Sequence, residues 1–254
     1  MDVEFLRQGA HEKGRSQVAL APSRDKGLMD TSSPNNIILH LDLLPANTRK
    51  AFDFLSRQEW LEKSSWYLAV GTALALQVGH RRSVDLDFFT HDKDFDNNKL
   101  LEHFVAGTDW HTDIDKKGTL YGELFGAKIS FIAYPFFVPA EEPVQAGSIR
   151  ILKPADIAIM KVIAISQRGK KRDFFDLYWL MHHGESLEVT MPKLKSQYPF
   201  VAHDYHHILK SLVYFEDAED DQTPEINFKA SWKEVKDFFN KEVPRVAKRL
   251  VDLK

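Results

Sequence analysis

Trp66-Tyr67-Leu68-Ala69-Val70-Gly71-Thr72-Ala73-Leu74-Ala75-Leu76-Gln77-Val78-Gly79-His80-Arg81-Arg82-Ser83-Val84-Asp85-Leu86-Asp87-Phe88-Phe89-Thr90 is the stretch on which the reading of this chain turns. The apolar run Tyr67 to Val70 suits a buried strand. Gly71-Thr72 suits a tight turn with a helix cap, and Ala73 to Val78 a short helix that Gly79 ends. Val84 to Phe89 reads as a second strand carrying two aspartates.

Side chains alternate along a strand, so Asp85 and Asp87 share one face while Leu86 and Phe88 turn to the other. A strand rise of about 3.3 Å sets the carboxylates roughly 6–7 Å apart, and an effective dielectric near 20 makes their repulsion about 2–3 kcal/mol. That is large beside the marginal stability of a folded chain, so a counter-cation is expected. Arg81 and Arg82 are one source, which would leave an exposed strand with arginine-paired acids. A divalent ion serves better, because oxygen-only ligands suit Mg²⁺ or Mn²⁺. Just upstream, Gly71 and the amides opening the Thr72 helix offer N–H groups and a positive helix end to phosphate oxygens. A phosphate cradle, then basic residues, then a metal-binding pair is the order nucleoside triphosphate chemistry needs.

The pattern of an apolar residue, Gly, a small hydroxyl residue, a short helix, then Asp-apolar-Asp-apolar resembles the signature of the DNA polymerase beta-like nucleotidyltransferases. More narrowly, Gly71-Thr72-Ala73-Leu74-Ala75-Leu76 with His80-Arg81-Arg82-Ser83-Val84-Asp85-Leu86-Asp87-Phe88-Phe89 resembles the AbiEii/AbiGii toxin family of that superfamily. A second block is similar to the later motifs of the same family: Asp156-Ile157-Ala158-Ile159-Met160-Lys161, continuing through Arg168-Gly169-Lys170-Lys171-Arg172-Asp173-Phe174-Phe175-Asp176-Leu177-Tyr178. The resemblance runs from about Leu43 to His183.

The resemblance implies an α/β (α+β) fold in which a nucleotidyltransferase domain with a short mixed sheet, residues 37–152, precedes a mainly helical region, residues 153–254. It implies transfer of a nucleoside monophosphate from an NTP to a hydroxyl, with Mg²⁺ or Mn²⁺ as cofactor. It further implies a toxin of a toxin–antitoxin or phage-defence pair, with tRNA or another RNA as acceptor and a separate antitoxin protein as partner. In that scheme Asp85 and Asp87 hold metal, Gly71 and Thr72 cradle phosphate, and Arg81, Arg82 and Ser83 orient the triphosphate. Lys161 and an arginine, with Arg168 in the phosphate-binding set, offset charge on the leaving group. Asp176 is expected to be a base, a partner of Lys161 or a structural residue. A third carboxylate completes the metal shell in polymerase beta-like enzymes, and here Ser130 holds its position. Glu123 and Asp176 are the candidate substitutes. Two other readings stay open: transfer to a small molecule or a protein hydroxyl, and a catalytically silent nucleotide- or RNA-binding module.

Composition narrows the class. The chain has 254 residues, 43% hydrophobic and 28% charged, enough to bury a core. No apolar run approaches the ~20 residues of a transmembrane helix, and Asp2 and Glu4 stand where a signal peptide is basic, so a cytoplasmic product is expected. There are 0 cysteines, which removes disulfides and thiolate metal sites. A formal net charge of -3 and a pI of about 6.4 leave any nucleic-acid contact to local patches such as Arg168 and Lys170 to Arg172.

Along the chain, residues 1–36 read as a polar tail, partly disordered. A helix is expected over Ala46 to Leu61. An acidic loop follows the second strand, capping a helix from Asn98 to Val105. Strands Thr119 to Phe125 and Ala127 to Tyr134 join at Gly126, and Ile149 to Leu152 is a short strand. Helices Ala155 to Gln167 and Asp173 to His182 flank Gly169. Glu216 to Asp221 reads as an acidic loop, and Trp232 to Phe239 and Val243 to Leu253 as two closing helices. His203, His206 and His207 read as solvated or capping residues, since no second cluster has zinc spacing.

Overall fold

A computed structural model describes residues 38–104 and 108–252, so the expected tail lies outside the described residues. Its centre is a seven-stranded mixed sheet in the order β3-β4-β5-β2-β1-β7-β6. The strands are β1 (Tyr67–Leu68), β2 (Leu86–Thr90), β3 (Trp110–Lys116), β4 (Thr119–Leu124), β5 (Ala127–Ala133), β6 (Val144–Ala146) and β7 (Ile149–Ile151). β2 runs parallel to β5 and β1 parallel to β7, while the other neighbours are antiparallel. The mixed sheet followed by a helical C-terminal region is the architecture the sequence led us to expect.

Alternation divides the sheet into two faces. Leu86, Phe88, Leu120 and Phe131 are fully buried on one. There Phe88 stacks on Phe131 at 5.2 Å, and Trp66 meets Phe131 edge-on at the same separation. Helix α1 (Ala46–Leu55) packs on β5 and the short α2 (Glu59–Glu62) on β7. The expected single helix over Ala46 to Leu61 is therefore two, broken after Ser56. The opposite face carries Asp85, Asp87, Ser130 and Tyr121. Helix α3 (Val70–Val78) packs against β2, and α5 (Pro154–Arg168) and α6 (Lys171–His183) pack on α3 and on each other.

Local signals account for most element ends. Asp96 caps α4 (Asn97–Glu102) by accepting from Asn98 N at 3.0 Å and Lys99 N at 3.2 Å. Phe125 and Gly126, with φ of 55° and 75°, form the left-handed pair that joins β4 to β5. Gly79 and Gly169 end α3 and α5 in the left-handed conformation.

The first strand is shorter than expected. β1 stops at Leu68, Val70 takes φ 52° and α3 starts there, so Gly71 and Thr72 lie inside its first turn and not before it. Downstream come α7 (Leu187–Gln197), α8 (Tyr205–Ser211), α9 (Glu216–Glu219) and α10 (Trp232–Asp252). The two expected closing helices are thus one. Pro244 costs α10 a backbone bond, but Val235, Phe239, Val243 and Val246 form an unbroken buried stripe across it, and packing prevails. The segment before α10 straps back onto the early chain: Arg82 N donates to Glu225 O at 3.0 Å and Asn227 N to His80 O at 2.7 Å, around an isolated Arg81–Ile226 bridge. Among the described residues no helix is long and apolar enough to cross a membrane.

Candidate active site

Asp87 lies in β2 and Asp85 one residue before the strand begins, with fully buried Leu86 between them, so both project to the face covered by α3, α5 and α6. Burial, and then the negative charge of Asp87, push the Asp85 carboxyl above its ordinary range. Register places Ser130 opposite Asp87, and Ser130 Oγ donates to Asp87 Oδ1 at 2.6 Å. One strand further, Tyr121 stands opposite Ser130. Burial and then Asp87 hold its phenol protonated, while Arg168 acts in the other direction.

The glycine turn comes to the same place. Thr72 Oγ1 lies 2.8 Å from Ser83 Oγ and also donates to the Asp85 carbonyl, tying the first turn of α3 to the approach to β2. A Cβ on Gly71 would fall 2.5 Å from Arg81 Nη2, so the missing side chain makes room for a guanidinium.

Behind these groups lies a buried ionic cluster. Asp176 accepts from Arg81 Nε at 2.5 Å, Arg81 Nη2 at 2.9 Å and His80 Nε2 at 2.8 Å, and Lys161 Nζ stands 2.6 Å away. Lys161 Nζ also donates to Asp173 Oδ1 at 2.7 Å, and Asp173 Oδ2 accepts from Arg168 Nε at 3.0 Å. Burial alone would raise both carboxyls. Arg168 and Lys161 at Asp173, and Arg81 and Lys161 at Asp176, outweigh it and hold both ionised. His80 goes the other way: burial lowers it, more than Asp176 raises it, so it sits neutral against Trp179.

Among the described residues no group of three or more His, Asp or Glu side chains is arranged to hold a metal alone. Asp85 and Asp87 supply two carboxylates on one face, separated by the single buried residue Leu86. That donor set fits Mg²⁺ or Mn²⁺, which take one or two carboxylates and complete their shell with water and phosphate oxygens.

A family model described as nucleotidyl transferase AbiEii toxin, type IV toxin–antitoxin system, matches residues 125–250. An uncharacterized protein of Aquifex aeolicus (strain VF5) is 40% identical over 184 residues, covering 71% of this chain and 87% of its own. The chain belongs to the AbiEii nucleotidyltransferase toxin family. It is a transferase enzyme of that family. Among solved structures, a candidate nucleotidyltransferase from H. pylori is similar at 22% identity and TM-score 0.49, with 82% of this chain and 96% of that one covered. MenT4, a nucleotidyltransferase toxin of Mycobacterium tuberculosis, is similar at 16% identity and TM-score 0.47, with 80% and 89% covered.

Within this AbiEii-family site, Asp85, Asp87, Gly71, Thr72 and Ser83 gather on one face with Arg168 at its edge, whereas Arg81, expected to orient triphosphate, is buried behind them and spent on Asp176, the Arg82 carbonyl and Ser83. Arg82 does not: it is half exposed and turned to Glu225 at 3.5 Å, on the strap. The expectation that Asp176 is a base is corrected. It is fully buried and engaged by three basic side chains, which lower its proton affinity, so it is the partner of Lys161. Lys161 is likewise corrected as a phosphate ligand, since the residue is 1% exposed and its ammonium is directed at two carboxylates. Glu123 pairs across strands with exposed Lys128, which separates it from the β2 aspartates. Of the basic run, Lys170 meets Asp221 at 3.2 Å and Lys171 donates to the Glu219 and Asp221 carbonyls at 2.9 Å and 2.5 Å. Only Arg172 turns to the site, 3.7 Å from Asp85 Oδ2. His203 and His207 pair with the carbonyls of Tyr198 and Ser166.

Sequence reasoning missed Tyr121 and gave His80 and Asp173 no part in the site, while it read Arg172 within a basic patch for nucleic acid. A signal existed for Asp173: Lys161 and Arg168 are two helical turns apart, and Asp173 and Asp176 one turn apart, across the break at Gly169. For His80 and Tyr121 none is visible without the register.

Proposed function

We propose that this AbiEii-family enzyme transfers a nucleoside monophosphate from an NTP to a hydroxyl of tRNA or another RNA, acting in the cytoplasm as the toxin of a toxin–antitoxin pair. The observation that carries this reading is the convergence of Asp85 and Asp87 with the first turn of α3, flanked by Arg172 and Arg168. Mg²⁺ bound with the nucleotide would neutralise phosphate charge and align the α-phosphate. Asp85 and Asp87 would hold that ion, and Ser130 fixes the rotamer of Asp87 by donating to it. Amides of the first turn of α3 point their positive end at phosphate oxygens. Arg168 offsets charge on the departing pyrophosphate. The acceptor hydroxyl gives up its proton to solvent and its oxygen bonds to the α-phosphorus as the bridge to the β-phosphate breaks and pyrophosphate leaves. Exposed Arg172 and Lys128 beside the acids suit the backbone of an RNA acceptor.

The test is incubation with each α-³²P-labelled NTP, Mg²⁺ and total tRNA, with Asp87→Ala in parallel. Label on RNA that disappears in the variant is the expected result; label on a small molecule or protein instead would displace the RNA reading. Ser130 in place of a third acid favours one alternative, a silent nucleotide-binding module, for which NTP binding without transfer to any acceptor is the mark.

A further inference from the structure

The ionic cluster behind the aspartates comes from two helix periodicities. Lys161 and Arg168 lie two turns apart on α5, and Asp173 and Asp176 one turn apart on α6. The Gly169 turn folds the second helix back on the first. One ammonium then ties two carboxylates, at 2.7 Å to Asp173 and 2.6 Å to Asp176. Each carboxylate also takes an arginine fork, and Asp176 accepts from His80 besides. Asp173 takes Arg168 through Nε at 3.0 Å and Nη2 at 3.3 Å, and Asp176 takes Arg81 through Nε and Nη2.

The two arginines end in different situations. Arg81 is spent: its Nη1 donates to Arg82 O at 2.9 Å and Ser83 Oγ at 3.3 Å, and the residue is 5% exposed. The Arg168 side chain keeps 20% exposure, and among the described residues its Nη1 has no hydrogen bond. Asp173, which grips it, follows directly on Arg172, whose Nη1 stands 3.7 Å from Asp85 Oδ2, so the fork lies beside the two aspartates, and Asp173 and then Asp87 and Tyr121 hold it charged against burial. A guanidinium gripped along one edge and open along the other is a preorganised donor for phosphate oxygens, where a freely rotating side chain would have to be ordered on binding.

We infer that Asp173 is a positioning residue that aims the free edge of Arg168 at the triphosphate, and that Lys161 is the brace fixing Asp173 to Asp176. This rests on the nucleotidyltransferase reading above and moves the phosphate-binding role from the lysine to the arginine. Arg168 is the member that meets the ligand.

The experiment is a double-mutant cycle on the full chain, read as the Kd of each of the four NTPs with Mg²⁺ by calorimetry. It compares wild type, Arg168→Gln, Asp173→Asn and the double variant, each checked for a cooperative melt. Both single variants are expected to raise Kd about tenfold, and the double variant also only about tenfold, because both changes remove the same arm. A Kd for Asp173→Asn within about twofold of wild type, or a double variant near a hundredfold, overturns the positioning role. If Asp173→Asn does not fold, Asp173→Glu takes its place in the cycle; it keeps the charge and displaces the carboxylate by one methylene, with the same expected rise and the same overturning result. Failure of the underlying reading looks different: wild-type protein that neither binds an NTP nor transfers label overturns both. Wild type that binds, with Asp173 variants unaffected, overturns the positioning alone.

Discussion

Gly71→Ala separates two views of the glycine by sign alone. Gly71 lies within α3 and its φ is not positive, so on helix propensity alone alanine stabilises by about 1 kcal/mol. The new Cβ, however, would stand 2.5 Å from Arg81 Nη2 and 3.6 Å from its Cζ. A surface arginine would swing aside at little cost. Arg81 is 5% exposed and held by Asp176, the Arg82 carbonyl and Ser83, so it moves only by stretching charge-assisted bonds. Each such bond is worth about 1.5–3 kcal/mol, and losing one or two outweighs the propensity gain, for a net loss of about 1–3 kcal/mol. At about 2–4 °C per kcal/mol for a chain of this size, the Tm should fall by roughly 3–10 °C. Differential scanning calorimetry of the two proteins at pH 7 in low salt decides it. An unchanged or raised Tm would refute the argument that the glycine exists to seat the arginine.

Other outcomes follow from the same geometry. Asp173 has a lowered folded pKa, so its contribution is full above the unfolded value of about 3.9 and is lost as pH falls towards the folded one. The Tm margin of wild type over Asp173→Asn should therefore be constant near neutrality and shrink below about pH 4; a margin that grows on acidification contradicts this. Lys161→Met leaves Arg81 and Arg168 each on its own carboxylate but removes the shared cation, and urea unfolding should show a loss of about 3 kcal/mol. A loss of NTP affinity with no change in stability would restore the lysine to the ligand list. Ser130→Asp replaces a donor 2.6 Å from Asp87 Oδ1 with a second carboxylate. It should destabilise by about 2–4 kcal/mol in EDTA and regain most of that in Mg²⁺, a metal-dependent Tm shift larger than that of wild type.

Where a local rule fixes the backbone, the fold was legible from the residues. Gly79 and Gly169 as helix ends, Gly126 as the join between β4 and β5, and an acidic loop capping α4 all hold within a residue or two. What escaped was decided by tertiary contact. β3 is an edge strand, with Asp113 at the register shift and mostly polar residues, so it shows no apolar alternation. Val70 looked like strand, but its positive φ starts α3 a turn early. The unbroken stripe of α10 overrides the punctuation of Pro244. At the site, the shared face of Asp85 and Asp87 was readable because its geometry is short-range, whereas Gly71-Thr72, read as a turn before the helix, lies inside α3. The pairing of Arg81 with Asp176 spans 95 residues and leaves no local trace, so Lys161 looked available when it was already committed.

The strap through Glu225, Ile226 and Asn227 bears on when the enzyme can work. Arg81 is made 95 residues before Asp176, and Arg82 143 residues before Glu225 of the strap. A growing or truncated chain can lay down the aspartates and the sheet yet leave Arg81 without its anchor. The ionic seat of the guanidinium is thus completed only by residues far downstream of the aspartates it stands behind.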